Sequence, residues 1–359
     1  MKIVVYAICR NEEKFAARWM ASMREADEVV VLDTGSIDGT AERLRALGAA
    51  VTEERVEPWR FDTARNRSLE LVPMDADICV CTDLDECFHP GWRTKLEAAW
   101  HDGVRRVQYR YTWSFQPDGT EGHVFWIDKI HARQGFRWVN PVHEVLAWDG
   151  EGDCPTIFVE GIQLDHHPDP EKSRAQYLPL LELAVREDPH NDRNRHYLGR
   201  EYLFRGDWAR CRETLRQHLA MPEAVWADER CASMRYLAQA SEQLGMTGEA
   251  EAWHQRSLAE APHLREPWLD YARFLYRQED WEGVLFTTGR ALVITERPRT
   301  YISEADSWGS LPYDLASLAC YRLGLYARSL EMVERALAIA PTDERLRNNR
   351  EWILEAISS

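Results

Sequence analysis

Residues 77–86 read Asp77-Ile78-Cys79-Val80-Cys81-Thr82-Asp83-Leu84-Asp85-Glu86. A short apolar run of this kind suits a strand buried on both faces, and it passes at once into acidic residues. Two earlier runs have the same form. Ile3-Val4-Val5-Tyr6-Ala7-Ile8 leads into Cys9-Arg10-Asn11-Glu12-Glu13, and Glu28-Val29-Val30-Val31-Leu32 leads into Asp33-Thr34-Gly35-Ser36. Between the runs, residues 12–24 and 40–47 carry helical patterns, the second introduced by the turn and cap residues Asp38-Gly39-Thr40. Alternating strand and helix predict βαβ units and a Rossmann-like α/β domain over residues 1–168, with a mostly parallel sheet. Ligands of such sheets sit at the carboxyl ends of the strands, where the polar residues above lie. Residues 105–115 and 123–145, rich in Tyr, Trp and Val, predict further strands of the same domain.

After His166-His167-Pro168-Asp169-Pro170 the pattern changes to uninterrupted helix, and a repeat emerges. With Ala238 at position 8 of a 34-residue template, Gly245 falls at 15, Ala250 at 20 and Pro262 at 32; Ser317, Gly324, Ser329, Ala336 and Pro341 repeat the series. These are the small-residue and proline positions of tetratricopeptide repeats, where paired helices approach closely and Pro ends the second. A third unit holds Gly199, Gly206 and Trp208, and a weaker fourth surrounds Tyr271, Ala272 and Ala291, with an insertion near residues 295–306. Residues 169–359 are therefore expected to form an all-α tetratricopeptide-repeat solenoid closed by a capping helix.

The composition, 45% hydrophobic and 29% charged, fits two packed domains rather than a disordered or fibrous chain. A formal net charge of −16 argues against nucleic acid, whose binding rests on Lys and Arg contacts to phosphate. The eight cysteines form no C-x-x-C pair and several lie in apolar runs, which points to a reduced, cytoplasmic compartment. No apolar stretch approaches the roughly 20 residues of a membrane-spanning helix, so no membrane association is expected.

Asp83 and Asp85, two carboxylates just beyond a strand, can hold a hard divalent cation. Alone, such a pair is more often a solvated acidic turn, as Asp33 could be a helix cap and Arg65-Asn66 a solvated helix face. Their order gives them weight: an acidic strand end, a basic helix (Trp59-Arg60-Phe61-Asp62-Thr63-Ala64-Arg65-Asn66-Arg67), then the aspartate pair, all converging on one sheet edge.

These motifs resemble those of the inverting family-two glycosyltransferases of the GT-A fold, in the branch with a C-terminal tetratricopeptide array. That branch carries N-E-E, D-T-G-S-x-D-G-T, a-R-N and l-D-x-D-E in order. Here stand Asn11-Glu12-Glu13, Asp33 to Thr40, Ala64-Arg65-Asn66 and Leu84 within Asp83-Leu84-Asp85-Glu86. The branch includes S- and O-glycosyltransferases that modify peptides such as glycosylated bacteriocins. The resemblance implies a nucleotide-sugar donor, a UDP-sugar, contacted by Arg10, Asn11, Glu12, Asp33, Gly35, Asp62, Arg65, Asn66, Asp83 and Leu84. It places Asp33 at the base and ribose and Arg65 at the diphosphate or base. Asp85, with Asp83, would engage Mn2+ or Mg2+ and neutralise charge on the leaving group.

Val142-His143-Glu144-Val145 and Leu164-Asp165-His166-His167 match two further segments of the branch. His166 is thereby a candidate third metal ligand, or else a structural histidine. The inverting transfer needs a base for the acceptor proton; Glu144 is the first candidate, with Glu86 and Asp128 as others. Trp138, Asn140 and His143 are expected on the acceptor side, although most tryptophans fill cores. The expected acceptor is a peptide or protein side chain recruited by the repeats, with a glycan, lipid-linked sugar or nucleobase as alternatives. A repeat scaffold with a vestigial transferase domain is the reading of another class. A repeat array also suits a homodimer.

Overall fold

The computed structural model describes residues 1–116, 118–170, 172 and 174–358. It divides into two compact units, Met1–Ala184 and Val185–Ser359. In the first, β1 (Ile3–Cys9), β2 (Glu28–Asp33) and β4 (Ile78–Cys81) form the heart of an eight-stranded sheet. With β3 (Ala50–Glu53), β5 (Glu86–Phe88), β6 (Arg106–Thr112), β7 (Val124–Ala132) and β10 (Thr156–His166), the order is β3-β2-β1-β4-β7-β6-β10-β5. Four of its seven pairings are parallel and three, involving β5 and β7, antiparallel.

The apolar continuity of β1 has a direct cause. Its odd residues Ile3, Val5, Ala7 and Cys9 pack with Trp19 and Met23 of α1 (Glu13–Met23), Leu44 of α2 (Thr40–Ala46) and Trp92 and Leu96 of α4 (Trp92–Ala99). Val4 and Tyr6, on the other face, pack with Leu69 of α3 (Phe61–Glu70) and with the hairpin of β8 (Phe136–Val139) and β9 (Val145–Trp148). Because β1 continues to β2 and β3 on one side and pairs with β4 on the other, its carboxyl end lies at a switch of strand order, where such sheets open a crevice.

The second unit is all helix among its described residues. α6 (Asp192–Phe204) pairs with α7 (Trp208–Ala220), α8 (Ala227–Gln243) with α9 (Thr247–Glu260), α10 (Arg265–Arg277) with α11 (Trp281–Leu292), and α12 (Leu311–Arg322) with α13 (Tyr326–Ile339). α14 (Glu344–Ser358) closes the series, and α5 (Tyr177–Glu187) spans the division between the units. The template positions behave as small-residue contacts should: Ala238 and Ala250 are fully buried, and the Ser317 hydroxyl donates to the carbonyl of Ser329 at 2.9 Å across the α12–α13 pair. Residues 293–310 form the insertion. Glu266 at the start of α10 holds it, accepting the backbone N–H of Glu304 at 2.9 Å and the Trp308 indole N–H at 3.2 Å. No described helix is long and apolar enough to cross a membrane.

Candidate functional site

The site is assembled by strand ends. At the end of β2, Asp33 is buried; one carboxylate oxygen accepts the backbone N–H groups of Gly35 (2.9 Å) and Ser36 (2.7 Å). Its other oxygen, equally buried, has no hydrogen-bond partner among the described residues. The Cys9 thiol lies beside this carboxylate, and the oxygen can also accept a donor from outside the protein. At the end of β1, Asn11 takes a left-handed backbone (φ 54°) and accepts the Ile37 N–H at 2.8 Å, which ties the two strand ends together. Glu12 lies beneath, buried, its backbone N–H bound to Thr40 Oγ1 at 2.8 Å and its carboxylate to Lys172 at 2.6 Å. Burial raises the Glu12 carboxyl to about 7; Lys172 opposes the shift and the charges of Asp83 and Asp85 add to it.

Beyond β4 the acidic motif divides its labour. Asp83 accepts Arg65 Nη2 through both oxygens, at 2.8 and 3.0 Å, and Lys129 at 3.1 Å. Burial would raise its carboxyl, but Arg65 and Lys129 hold it well below the usual carboxylate range. Arg65, itself buried, donates through Nε to Glu144 at 2.6 Å and lies over the Trp138 ring. Glu86 is fully engaged: Tyr111 donates to one oxygen (2.7 Å), Lys129 also reaches it (3.1 Å), and the Asp83 N–H donates to the other (2.9 Å).

Asp85 instead faces His166, with Oδ2 and Nε2 3.4 Å apart. Strand register places them so. β5 pairs with the end of β10 with Glu86 opposite His166, and the His167 N–H donates to the Asp85 carbonyl at 2.8 Å. His166 Nδ1 lies 2.9 Å from the Trp113 carbonyl, and the Trp113 ring stacks on the imidazole at 4.4 Å. A carbonyl only accepts, so Nδ1 carries the proton and Nε2 is turned to Asp85. Burial lowers the proton affinity of His166, but the Asp85 carboxylate outweighs it and the net shift is upward. A carboxylate oxygen beside an imidazole whose other nitrogen is spent on a backbone carbonyl is a donor set suited to a divalent cation.

Several residues singled out in the sequence are placed differently. Asp128 is not brought to the cluster: it pairs with Arg106 at 2.8 Å. A bulge, one residue of β6 (Gln108) against two of β7 (Asp128 and Lys129) between the pairs Val107–Ile130 and Tyr109–Ile127, re-aims this part of the strand. Lys129, its neighbour, enters the cluster instead and was not anticipated. The Leu84 side chain is fully buried in the core, so only its backbone is available to a ligand. Asn66 spends its amide on the backbone of Trp138, donating to the carbonyl at 2.9 Å and accepting the N–H at 2.8 Å. Trp138 is buried with its indole N–H on the Tyr6 hydroxyl at 2.9 Å, which leaves no open ring face; exposed Trp113 presents one. Asp62 is held by Arg60 at 2.8 and 2.9 Å. Asn140 and His143 have left-handed backbones (φ 78° and 52°), Arg10 is exposed, and Gly35 turns at φ 109°.

No curated protein sequence matches the chain. Among solved structures, glucosyl-3-phosphoglycerate synthase from Mycobacterium tuberculosis, in complex with Mn2+, UDP and glucosyl-3-phosphoglycerate, is 30% identical over 31% of this chain and 44% of its own, with a TM-score of 0.27. YrrB, a TPR protein with an unusual peptide-binding site, is 15% identical over 51% of this chain and 83% of its own, with a TM-score of 0.35. The APC/C hetero-tetramer Cut9–Hcn1 gives 11% identity over 51% of this chain, a TM-score of 0.41, and only 33% of that chain's length is spanned. Residues 4–145, which hold the carboxyl ends of β1, β2 and β4, match the family model described as glycosyl transferase family 2.

Proposed function

We propose that the chain is a metal-dependent, inverting glycosyltransferase that moves a hexose from a nucleotide sugar, a UDP-sugar, to a side chain of a peptide or protein. The family match over residues 4–145 supports glycosyl transfer. The observation that carries the finer reading is the meeting of Asp85 with His166, far apart in sequence, beside the Arg65–Asp83 pair and at the same sheet edge as the Asp33 oxygen that has no hydrogen bond among the described residues. In this reading Asp33 receives an N–H or O–H of the nucleotide. Asp85 and His166 would hold Mn2+ or Mg2+; when bound, the ion offsets charge on the diphosphate leaving group. Arg65 and Lys129 keep Asp83 ionised and Arg65 fixes Glu144, which takes the acceptor proton as the new bond forms. The repeats from residue 169 on present the acceptor peptide, as concave solenoid surfaces can, or join two copies of the chain.

The test is turnover of a panel of nucleotide sugars by the purified chain with Mn2+ or Mg2+, by transfer or donor hydrolysis. Asp85→Asn is expected to cut turnover about 1,000-fold, the scale of a lost electrostatic stabiliser, with circular dichroism unchanged. A wild-type chain that neither binds nor hydrolyses any donor sinks the reading.

A further inference from the structure

A second histidine–carboxylate cluster lies in the repeat unit, at residues to which the transferase reading gives no role. Asp192 opens α6, His218 lies in the last turn of α7, and Glu229 in the first turn of α8. One ligand-capable atom from each lies within 4.8 Å of the other two. Unlike the acidic clusters common on surfaces, this one is largely inside: His218 is fully buried and Glu229 is 3% exposed.

The surroundings of His218 leave one nitrogen unaccounted for. Its Nδ1 lies 2.9 Å from Ser233 Oγ, which is also 2.8 Å from His196 Nδ1. Its buried Nε2 has no hydrogen bond among the described residues and lies 3.4 Å from Glu229 Oε1. The Ser233 hydroxyl has one proton and serves one of the two histidines, so the other must donate its own Nδ1–H to the serine oxygen. When His218 is that donor, its Nε2 lone pair faces a carboxylate oxygen, an arrangement that a cation between them relieves. The other Glu229 oxygen accepts the Tyr301 hydroxyl, which fixes the carboxylate.

We propose that Asp192, His218 and Glu229 form a divalent-metal site, of Zn2+ type, that staples the first three helices of the repeat array. Two ligands bound at about 2.0–2.1 Å in tetrahedral geometry stand roughly 3.4 Å apart, the separation found between His218 and Glu229. Asp192, half-exposed, closes the third side by a side-chain adjustment. One imidazole and two carboxylates match a borderline ion. Ser233 and Tyr301 take the supporting places in which hydrogen bonds orient metal ligands.

The proposal does not rest on the transferase reading, and its test keeps the two apart. The full chain is stripped with chelator, equilibrated with Zn2+ and desalted, and bound zinc is measured for wild type, His218→Gln, Asp192→Asn and Asp85→Asn. Wild type is expected to hold one equivalent more than His218→Gln, and Asp85→Asn to retain that equivalent. Zn2+ should raise Tm more in wild type than in His218→Gln and should still raise it in Asp85→Asn, because binding to the folded state alone stabilises it. Asp192→Asn, at the less buried position, guards against a His218 variant that fails to fold; it should keep its circular dichroism and bind Zn2+ at least 10-fold more weakly. Equal zinc content and equal Tm response in wild type and Asp192→Asn overturn the proposal and leave His218 as a core histidine beside Glu229.

Discussion

His166 in the sheet unit and His218 in the repeat unit each hold Nε2 3.4 Å from a carboxylate oxygen, yet they reach that geometry by different means. His166 is placed by backbone. The β5–β10 register sets its position, and a backbone carbonyl fixes which nitrogen bears the proton. His218 is placed by side chains from three helices and oriented by a hydroxyl that can donate or accept. A site built on strand register tolerates side-chain changes around it, whereas a site built on helix packing is only as exact as its neighbours. The same contrast runs through the other buried charges of the two units.

The largest expected effect lies at the buried guanidiniums. Arg65 serves Asp83 and Glu144; in the repeats, Arg235 serves Asp270 at 2.6 Å and Glu304 at 2.8 Å. Removing one partner of a buried pair strands the other charge at a cost of about 3–5 kcal/mol. Arg65→Met should fall near the lower end, because Lys129 still faces Asp83, and it should also abolish donor turnover. Arg235→Met should cost at least as much, read as a shift in the urea midpoint. A change below about 0.5 kcal/mol for Arg65→Met would show that the sheet cluster is held by packing rather than charge.

A smaller effect separates the units by pH. The Glu12 carboxyl is raised by burial to about 7 from an ordinary 4.5, so the folded chain binds a proton that the unfolded chain gives up between those values. Its contribution to stability is therefore full below about pH 4.5 and lost as pH rises through about 7. The loss is about 3 kcal/mol at roughly 1.4 kcal/mol per pKa unit. Glu12→Gln should flatten that decline between pH 5 and 8, measured as the difference in unfolding free energy from wild type. An unchanged slope would mean that Lys172 compensates the carboxylate fully.

How far the sequence foretold this follows from where position is encoded. β1, β2 and β4 were legible because a strand covered on both faces must be apolar throughout, and the polar residues that follow then mark its end. Asp33, Asp83 and Asp85 could be placed at strand ends for the same reason, whereas Arg65, on α3, was picked out by its order among the motifs and by the family resemblance. The repeats showed in Ala238, Gly245 and Ala250 because close helix approach admits few residue types. Lys129 was missed and Asp128 chosen because the bulge in β7 changes which side chain is aimed where, and a bulge leaves no mark in a pattern of alternation. Trp138 was expected on the acceptor side, and its burial against Tyr6 was not legible because it depends on the β8–β9 hairpin packing over the sheet. The Asp192–His218–Glu229 cluster went unread because its members lie on three helices, with no spacing in the chain that joins them.

The smallest effect tests the contrast at its simplest, in single left-handed residues. Gly245 closes the α8–α9 turn at φ 73°, and a Cβ built there meets nothing within 4 Å. Gly245→Ala should therefore cost only the backbone preference of an L-residue, about 1 kcal/mol, seen as a modest fall in Tm. In the sheet unit, Asn11 has a similar backbone at φ 54°, but its side chain accepts the Ile37 N–H and its N–H donates to Ser36 Oγ at 2.9 Å. There the conformation is held by hydrogen bonds rather than permitted by a missing Cβ. A cost well above 2 kcal/mol at Gly245 would show that the repeat turn is also clamped by its surroundings, and the distinction between the two units would fail at this level.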